Sequence, residues 1–153
     1  MAEHRFPSAS EIIALAIRRE VEAAEGYERM AGLARTPGAR ELLEALRKDE
    51  INHRRLLEGL APEKLGALTP AAVSDLELVD GLGDEELRAD ATLQELFIFA
   101  AKKEKAAAEF YAGLARTAED EDTRRLLEFL AGQERQHKLK LEDEYEKAVL
   151  PEN

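Results

Sequence analysis

Two glutamate–histidine motifs on apolar helical stripes constrain the fold of this chain more than any other feature. Glu50-Ile51-Asn52-His53 recurs 84 residues later as Glu134-Arg135-Gln136-His137, and the two motifs contain two of the three histidines. Leucines flank both motifs at steps of three and four residues, which keeps them on the same helix face as the motif. Both motifs therefore place ionisable side chains on the face that an amphipathic helix turns toward a core.

The 84-residue spacing extends beyond the two motifs. Glu20 and Glu104 are separated by it, as are Tyr27 and Tyr111, and each of these residues lies on an apolar stripe. The leucine pairs at 42–43 and 126–127 have the same spacing. The chain is therefore predicted to contain two copies of one helical hairpin, related by a pseudo-twofold axis.

Capping and helix-breaking residues predict four long helices. Capping boxes at Ser8-x-x-Glu11 and Thr92-x-x-Glu95 mark the starts of the first and third helices, and the first ends at the break Thr36-Pro37-Gly38. The second helix is predicted at about 39–60, the third to about 116, and the fourth at about 120–150. We predict one all-α domain over 1–153, a four-helix bundle with helix pairs 8–60 and 91–150. A long crossover connection at 61–90, with a short helix at 69–72, joins them.

Composition and charge exclude several classes of function. The absence of cysteine excludes disulfides, thiolate catalysis and cysteine-ligated metal clusters. A formal net charge of −11 disfavours nucleic acid and anionic membranes as partners. The sequence has no apolar run of transmembrane length, and its start lacks the apolar region of a signal peptide. We therefore expect a soluble, cytoplasmic protein.

The interrupted stripes would bring four carboxylates and two imidazoles together in the middle of the bundle. Ionised groups are costly to bury without compensation, and this donor set suits two divalent metal ions of the iron or manganese type. The alternative for the glutamates is a solvated helix face, and for the histidines a hydrogen-bonded place in the core. The predicted metal ligands are Glu20, Glu50, His53, Glu104, Glu134 and His137.

This pattern of one glutamate from each of two helices and Glu-x-x-His from the other two resembles the ferritin-like di-iron carboxylate superfamily, and within it the rubrerythrin-like branch. The resemblance covers nearly the whole chain and implies a ferritin-like bundle that binds two iron ions, with manganese or zinc as alternatives. It also implies that Glu50 and Glu134 bridge the metals, while Glu20 with His53 and Glu104 with His137 are terminal ligands. Tyr27 and Tyr111 are expected to donate hydrogen bonds to ligand carboxylates or, alternatively, to be simple core aromatics. No catalytic residue beyond the ligands is implied.

The same resemblance implies an oxidoreductase with a role in oxidative stress. It would react with peroxide or dioxygen as a peroxidase, oxidase or ferroxidase, and take electrons from an external donor or from ferrous iron. An external donor is expected because the chain has no cysteine-ligated rubredoxin module. Ala107 stands where peroxidase-type rubrerythrins carry an extra carboxylate, so modest peroxide turnover is expected. Alternative functions are iron handling without turnover and a structural bundle with a non-redox metal. Relatives are often homodimers, and this chain can be one too.

Overall fold

The computed structural model describes residues 8–66 and 89–149, which form four long α-helices. These are α1 (Ala9–Leu33), α2 (Pro37–Glu58), α3 (Leu93–Thr117) and α4 (Glu121–Glu144), with a short 3-10 helix at Pro62–Leu65 and a π-helical turn at Tyr145–Val149. The predicted all-α class is confirmed, and the described ranges contain no strand. No helix in these ranges has the length and apolar character needed to cross a membrane. The short helix predicted at 69–72 lies outside the described residues, and the single domain over 1–153 stays a prediction.

The helix starts follow the sequence repeat. Ser8 and Thr92 both close capping boxes, as predicted, while Thr36 and Asp120 cap α2 and α4 through their side-chain oxygens. One start differs from the prediction, because α2 begins at Pro37 rather than near residue 39. Proline is tolerated at the first helical position, where its missing N–H would have no partner in any case. The apparent break between the first two helices is thus the beginning of α2.

The two hairpins, α1 with α2 and α3 with α4, meet through contacts of α1 with α3 and of α2 with α4. Two apolar clusters form the core, one around Ile12, Phe110 and Leu127, the other around Met30 and Phe97. Every long helix contributes to both clusters, and between its two contributions each helix carries charged residues. The bundle therefore contains a charged layer enclosed by apolar side chains at both ends.

The 3-10 helix after α2 packs against the bundle instead of leaving it. Leu65 is fully buried in the first apolar cluster, and its carbonyl oxygen accepts a hydrogen bond from the Thr117 hydroxyl at 3.2 Å. Gly66 has a φ of 77°, and a Cβ atom there would lie 2.2 Å from the Thr117 carbonyl oxygen. Only glycine fits this approach, which fixes the start of the connection against the end of α3.

Candidate metal centre

The charged layer contains all six residues predicted as metal ligands. Each has at most 1% of its surface exposed, although Glu and His are seldom buried so completely without a partner. Their donor atoms form two groups, within each of which all donors lie within 4.8 Å of one another. The first group is Glu20, Glu50, His53 and Glu134; the second is Glu50, Glu104, Glu134 and His137. Glu50 and Glu134 belong to both, as the predicted bridging role requires.

Each of the six side chains directs an unsatisfied atom into this layer. The Nδ1 atom of His53 lies 3.0 Å from Glu134 Oε1 and 3.1 Å from Glu50 Oε1, but these atoms have no hydrogen-bond partner. His137 Nδ1 is placed alike, 3.3 Å from Glu50 Oε1. Buried polar atoms are nearly always hydrogen-bonded in proteins. Here they point at one another without making hydrogen bonds, as metal ligands do around a shared cation. The residues therefore fit a two-metal site, and ligation itself stays a prediction.

Asp49, which the sequence analysis missed, contacts the ring nitrogen of His137 that faces away from the centre. His137 Nε2 lies 3.0 Å from Asp49 Oδ2, so its Nδ1 faces the centre. A carboxylate behind a ligating histidine fixes the ring and raises its basicity. The only sequence signal for Asp49 is its position next to Glu50, and an exposed helix acid gives the same pattern.

The two tyrosines bind the carboxylates crosswise between hairpins. The Tyr27 hydroxyl on α1 donates to Glu104 Oε1 on α3 at 2.6 Å, and Tyr111 on α3 donates to Glu20 Oε1 on α1 at 2.5 Å. Burial raises the pKa of both phenols well above the ordinary value, which keeps them protonated as donors. The expected hydrogen bonds to carboxylates are thus present in the structure.

Arg19 is the second residue that the sequence analysis missed, and it lies inside the carboxylate cluster. Its side chain is 7% exposed and contacts all four glutamates of the centre. A signal was present, because Arg19 follows Ile12 and Ala16 at steps of four and three residues, on a second inward stripe beside that of Glu20. Arginine next to a glutamate is so common on exposed faces that the stripe alone does not predict burial.

The buried charges shift the pKa values of both imidazoles upward. Burial favours the neutral ring of His53, but Glu20 and Glu50 outweigh it and raise the pKa to about 9. Burial also opposes the charged form of His137, and Glu104 with Glu50 raises that pKa to about 10. The metal-free centre therefore holds two imidazolium ions, and both must lose a proton before Nδ1 can bind a metal.

The four carboxylates divide into two groups by the direction in which their pKa values shift. Burial raises the pKa of Glu20, with repulsion from Glu50 adding to it, and burial raises the pKa of Glu134 well above its usual value. Burial acts on Glu50 and Glu104 in the same direction, but attraction to Arg19 and nearby imidazole outweighs it and lowers both pKa values. Burial and mutual repulsion thus oppose ionisation of Glu20 and Glu134, while positive neighbours favour ionisation of Glu50 and Glu104, as expected for carboxylates that share one buried space.

Comparison with known proteins agrees with this geometry. The rubrerythrin family model matches residues 11–145, a range that contains all four long helices nearly complete. The chain belongs to the rubrerythrin family. Its membership agrees with the resemblance of the Glu-x-x-His motifs, and this rubrerythrin-family chain contains no cysteine for a rubredoxin module. No curated protein matches it.

Two solved structures share the rubrerythrin-family fold of this chain. A hypothetical protein from Pyrococcus furiosus is 25% identical with a TM-score of 0.68, over 93% of this chain and 90% of the other. A protein from Thermotoga maritima, described as a ferritin-like diiron-carboxylate protein, is 20% identical with a TM-score of 0.70, over 96% of this chain and 100% of the other. The predicted ferritin-like four-helix bundle is thereby confirmed.

Proposed function

We propose that this rubrerythrin-family protein is a di-iron oxidoreductase that reduces peroxide or dioxygen. Electrons would come from an external donor or from ferrous iron, and peroxide would be reduced to two molecules of water by two electrons and two protons. The observation that carries the proposal is the convergence of unpaired donor atoms from Glu20, Glu50, His53, Glu104, Glu134 and His137 in one buried layer.

The arrangement of donors supports a pair of metal ions rather than one. Glu50 and Glu134 would bridge, because both occur in each donor group. Glu20 with His53 would complete one site, and Glu104 with His137 the other. Carboxylates and imidazoles in this ratio suit iron and manganese. Bound iron would supply the one-electron redox steps of the reaction.

The surrounding residues would orient the ligands and limit what can reach them. Tyr27 and Tyr111 hold one oxygen each of Glu104 and Glu20, and Asp49 fixes the ring of His137. A cavity of about 180 Å³ reaches this layer between α1 and α3, from exposed Glu22 to buried Glu104. It is smaller than the roughly 300–1,000 Å³ typical of sites for drug-sized ligands, which favours dioxygen or peroxide over a bulky organic substrate.

Anaerobic reconstitution with ferrous iron tests the proposal. We expect two iron ions per chain, a near-ultraviolet absorption after oxidation, and faster oxidation with peroxide or air than ferrous iron shows alone. Glu50→Ala and Glu134→Ala should lose iron, while Glu44→Ala, which removes a glutamate that is 46% exposed on α2, should not. A protein that takes up no iron, or an E50A variant that binds as the parent does, would refute the site. Iron oxidation without repeated turnover would favour iron handling.

A further inference from the structure

The carboxylate cluster contains a cation of its own, the guanidinium group of Arg19. Its Nη1 atom lies 2.7 Å from Glu50 Oε2 and 3.2 Å from Glu20 Oε1, its Nη2 atom lies 2.8 Å from Glu104 Oε1, and Nη1 also contacts Glu134 Oε2. Arginine is rarely buried unless it is paired, and here all its charge partners in the described cluster are residues predicted to bind metal. The guanidinium therefore uses the same carboxylates that two metal ions would use.

The two oxygens of each carboxylate have different neighbours. One oxygen of each glutamate contacts Arg19, and the other faces the imidazoles without a hydrogen-bond partner. A glutamate that bridges two ions through both of its oxygens would use the oxygen that now contacts Arg19, so the ions and the guanidinium compete for Glu50 Oε2 and Glu134 Oε2. Two divalent ions also carry four positive charges, which cancel the four carboxylates. The guanidinium would then be a buried charge without a counter-ion, which is strongly unfavourable.

We propose that Arg19 is the internal counter-ion of the metal-free centre and that two divalent metal ions displace it from the carboxylates. The inference rests on the proposed function, because it requires that the centre bind metal. Arg19 then acts as a positioning residue that keeps four like charges together before loading, and it opposes loading by the same contacts.

The structure provides a place for the displaced side chain. Arg19 lines the cavity between α1 and α3 together with Glu22, Ala23 and Gly26. The small side chains at 23 and 26 leave room beside α1, and exposed Glu22, three residues after Arg19, lies on the adjacent helix turn as an acceptor. A change of side-chain rotamer would carry the guanidinium from the carboxylates toward Glu22 and solvent without a change in the helix.

The second hairpin offers a matched control for Arg19. Lys103 stands 84 residues later, at the equivalent place before Glu104, and lines the same cavity. Its Nζ atom lies 5.2 Å from the centre of the Phe99 ring. Removal of Lys103 therefore takes away one positive charge at the cavity and leaves the counter-ion in place.

Metal affinity of the full chain tests the proposal. Arg19→Met and Lys103→Met are compared with the parent by titrating metal-free protein with Mn²⁺ against a chromophoric chelator. We expect R19M to bind Mn²⁺ at least about tenfold more tightly, since loading no longer breaks charge-assisted hydrogen bonds, and K103M to stay within about twofold of the parent. Metal-free R19M should melt at a lower temperature than the parent and gain more on loading.

A second measurement on the parent protein needs no variant. A dicarbonyl reagent modifies accessible guanidinium groups, and mass spectrometry measures the rate at Arg19 relative to Arg125, which is 71% exposed. Loading with Mn²⁺ should raise the Arg19 rate severalfold. An Arg19 rate that is the same with and without metal, or equal Mn²⁺ affinities of parent and R19M, would overturn the inference and leave the proposed function standing. Failure of all three proteins to bind metal would overturn both.

Discussion

Removal of one hydroxyl group from the centre, in the substitution Tyr111→Phe, should destabilise the metal-free protein by about 2 kcal/mol. The hydroxyl donates to Glu20 Oε1 at 2.5 Å, and both residues are fully buried. A hydrogen bond to a charged group contributes roughly 1.5–3 kcal/mol. The lower half of that range is expected because Arg19 Nη1 lies 3.2 Å from the same oxygen and keeps it partly paired. In a domain of this size, 2 kcal/mol corresponds to roughly 4–8 °C in melting temperature.

Substitutions of two further tyrosines provide comparisons for the loss of stability in Tyr111→Phe. Tyr27→Phe should cost less, because Glu104 Oε1 also accepts a closer hydrogen bond, at 2.8 Å, from Arg19 Nη2. Tyr145→Phe is the control, since that half-buried hydroxyl only accepts from the Gln94 amide. Thermal unfolding followed by circular dichroism, in excess chelator, should give the order Y111F, Y27F, Y145F from most to least destabilised. If Y111F and Y145F melted at the same temperature, the buried hydrogen bond would not stabilise the bundle as argued.

Three other predictions concern metal, pH and oxidant. Metal-free protein should melt roughly 5–10 °C below protein in metal at 100 times Kd, because binding at that concentration stabilises the fold by about 2.7 kcal/mol. Identical melting curves with and without metal would contradict this. Without metal, His53 and His137 have pKa values of about 9 and about 10, above the unfolded value near 6.5. Their stabilisation is therefore complete below pH 6.5 and lost as the pH rises through 9 and 10, so stability measured by urea unfolding should fall over that range, and a flat profile would refute it. Ala107→Glu, at a fully buried position three residues after Glu104, should raise the rate of ferrous-iron oxidation by peroxide relative to dioxygen. An unchanged ratio in a variant that binds two irons would count against the importance of that position.

The architecture could be predicted from the sequence because its signals are local and repeated. Capping boxes at Ser8 and Thr92 are chemical patterns within four residues, and the 84-residue spacing relates the two hairpins without reference to three dimensions. The six candidate ligands were found for the same reason, since each interrupts an apolar stripe. Pro37 indicates only a break between helices, because the sequence alone does not distinguish a proline that ends a helix from one that begins the next.

The contacts that the sequence analysis missed depend on orientation rather than pattern. Arg19 precedes Glu20 in a chain that has 22 basic and 33 acidic residues, so adjacent opposite charges carry little information. Only the packing of α1 against α3 turns its guanidinium inward. Asp49 follows the ordinary pattern of a helix acid in the sequence, and its contact with His137 depends on the angle at which α2 meets α4. Both are determined by tertiary packing, which periodicity does not encode.

The crosswise tyrosine hydrogen bonds make each hairpin dependent on the other. Tyr27 satisfies a carboxylate of the second hairpin, Tyr111 satisfies one of the first, and each donor group takes one glutamate from the opposite half. Neither half can complete its own polar core, because each hairpin alone lacks the tyrosine that binds its carboxylate and one glutamate of its donor group. The centre therefore couples the two hairpins within one chain. Its reciprocal contacts resemble those of a symmetric dimer, in which each subunit contributes the same residue to its partner.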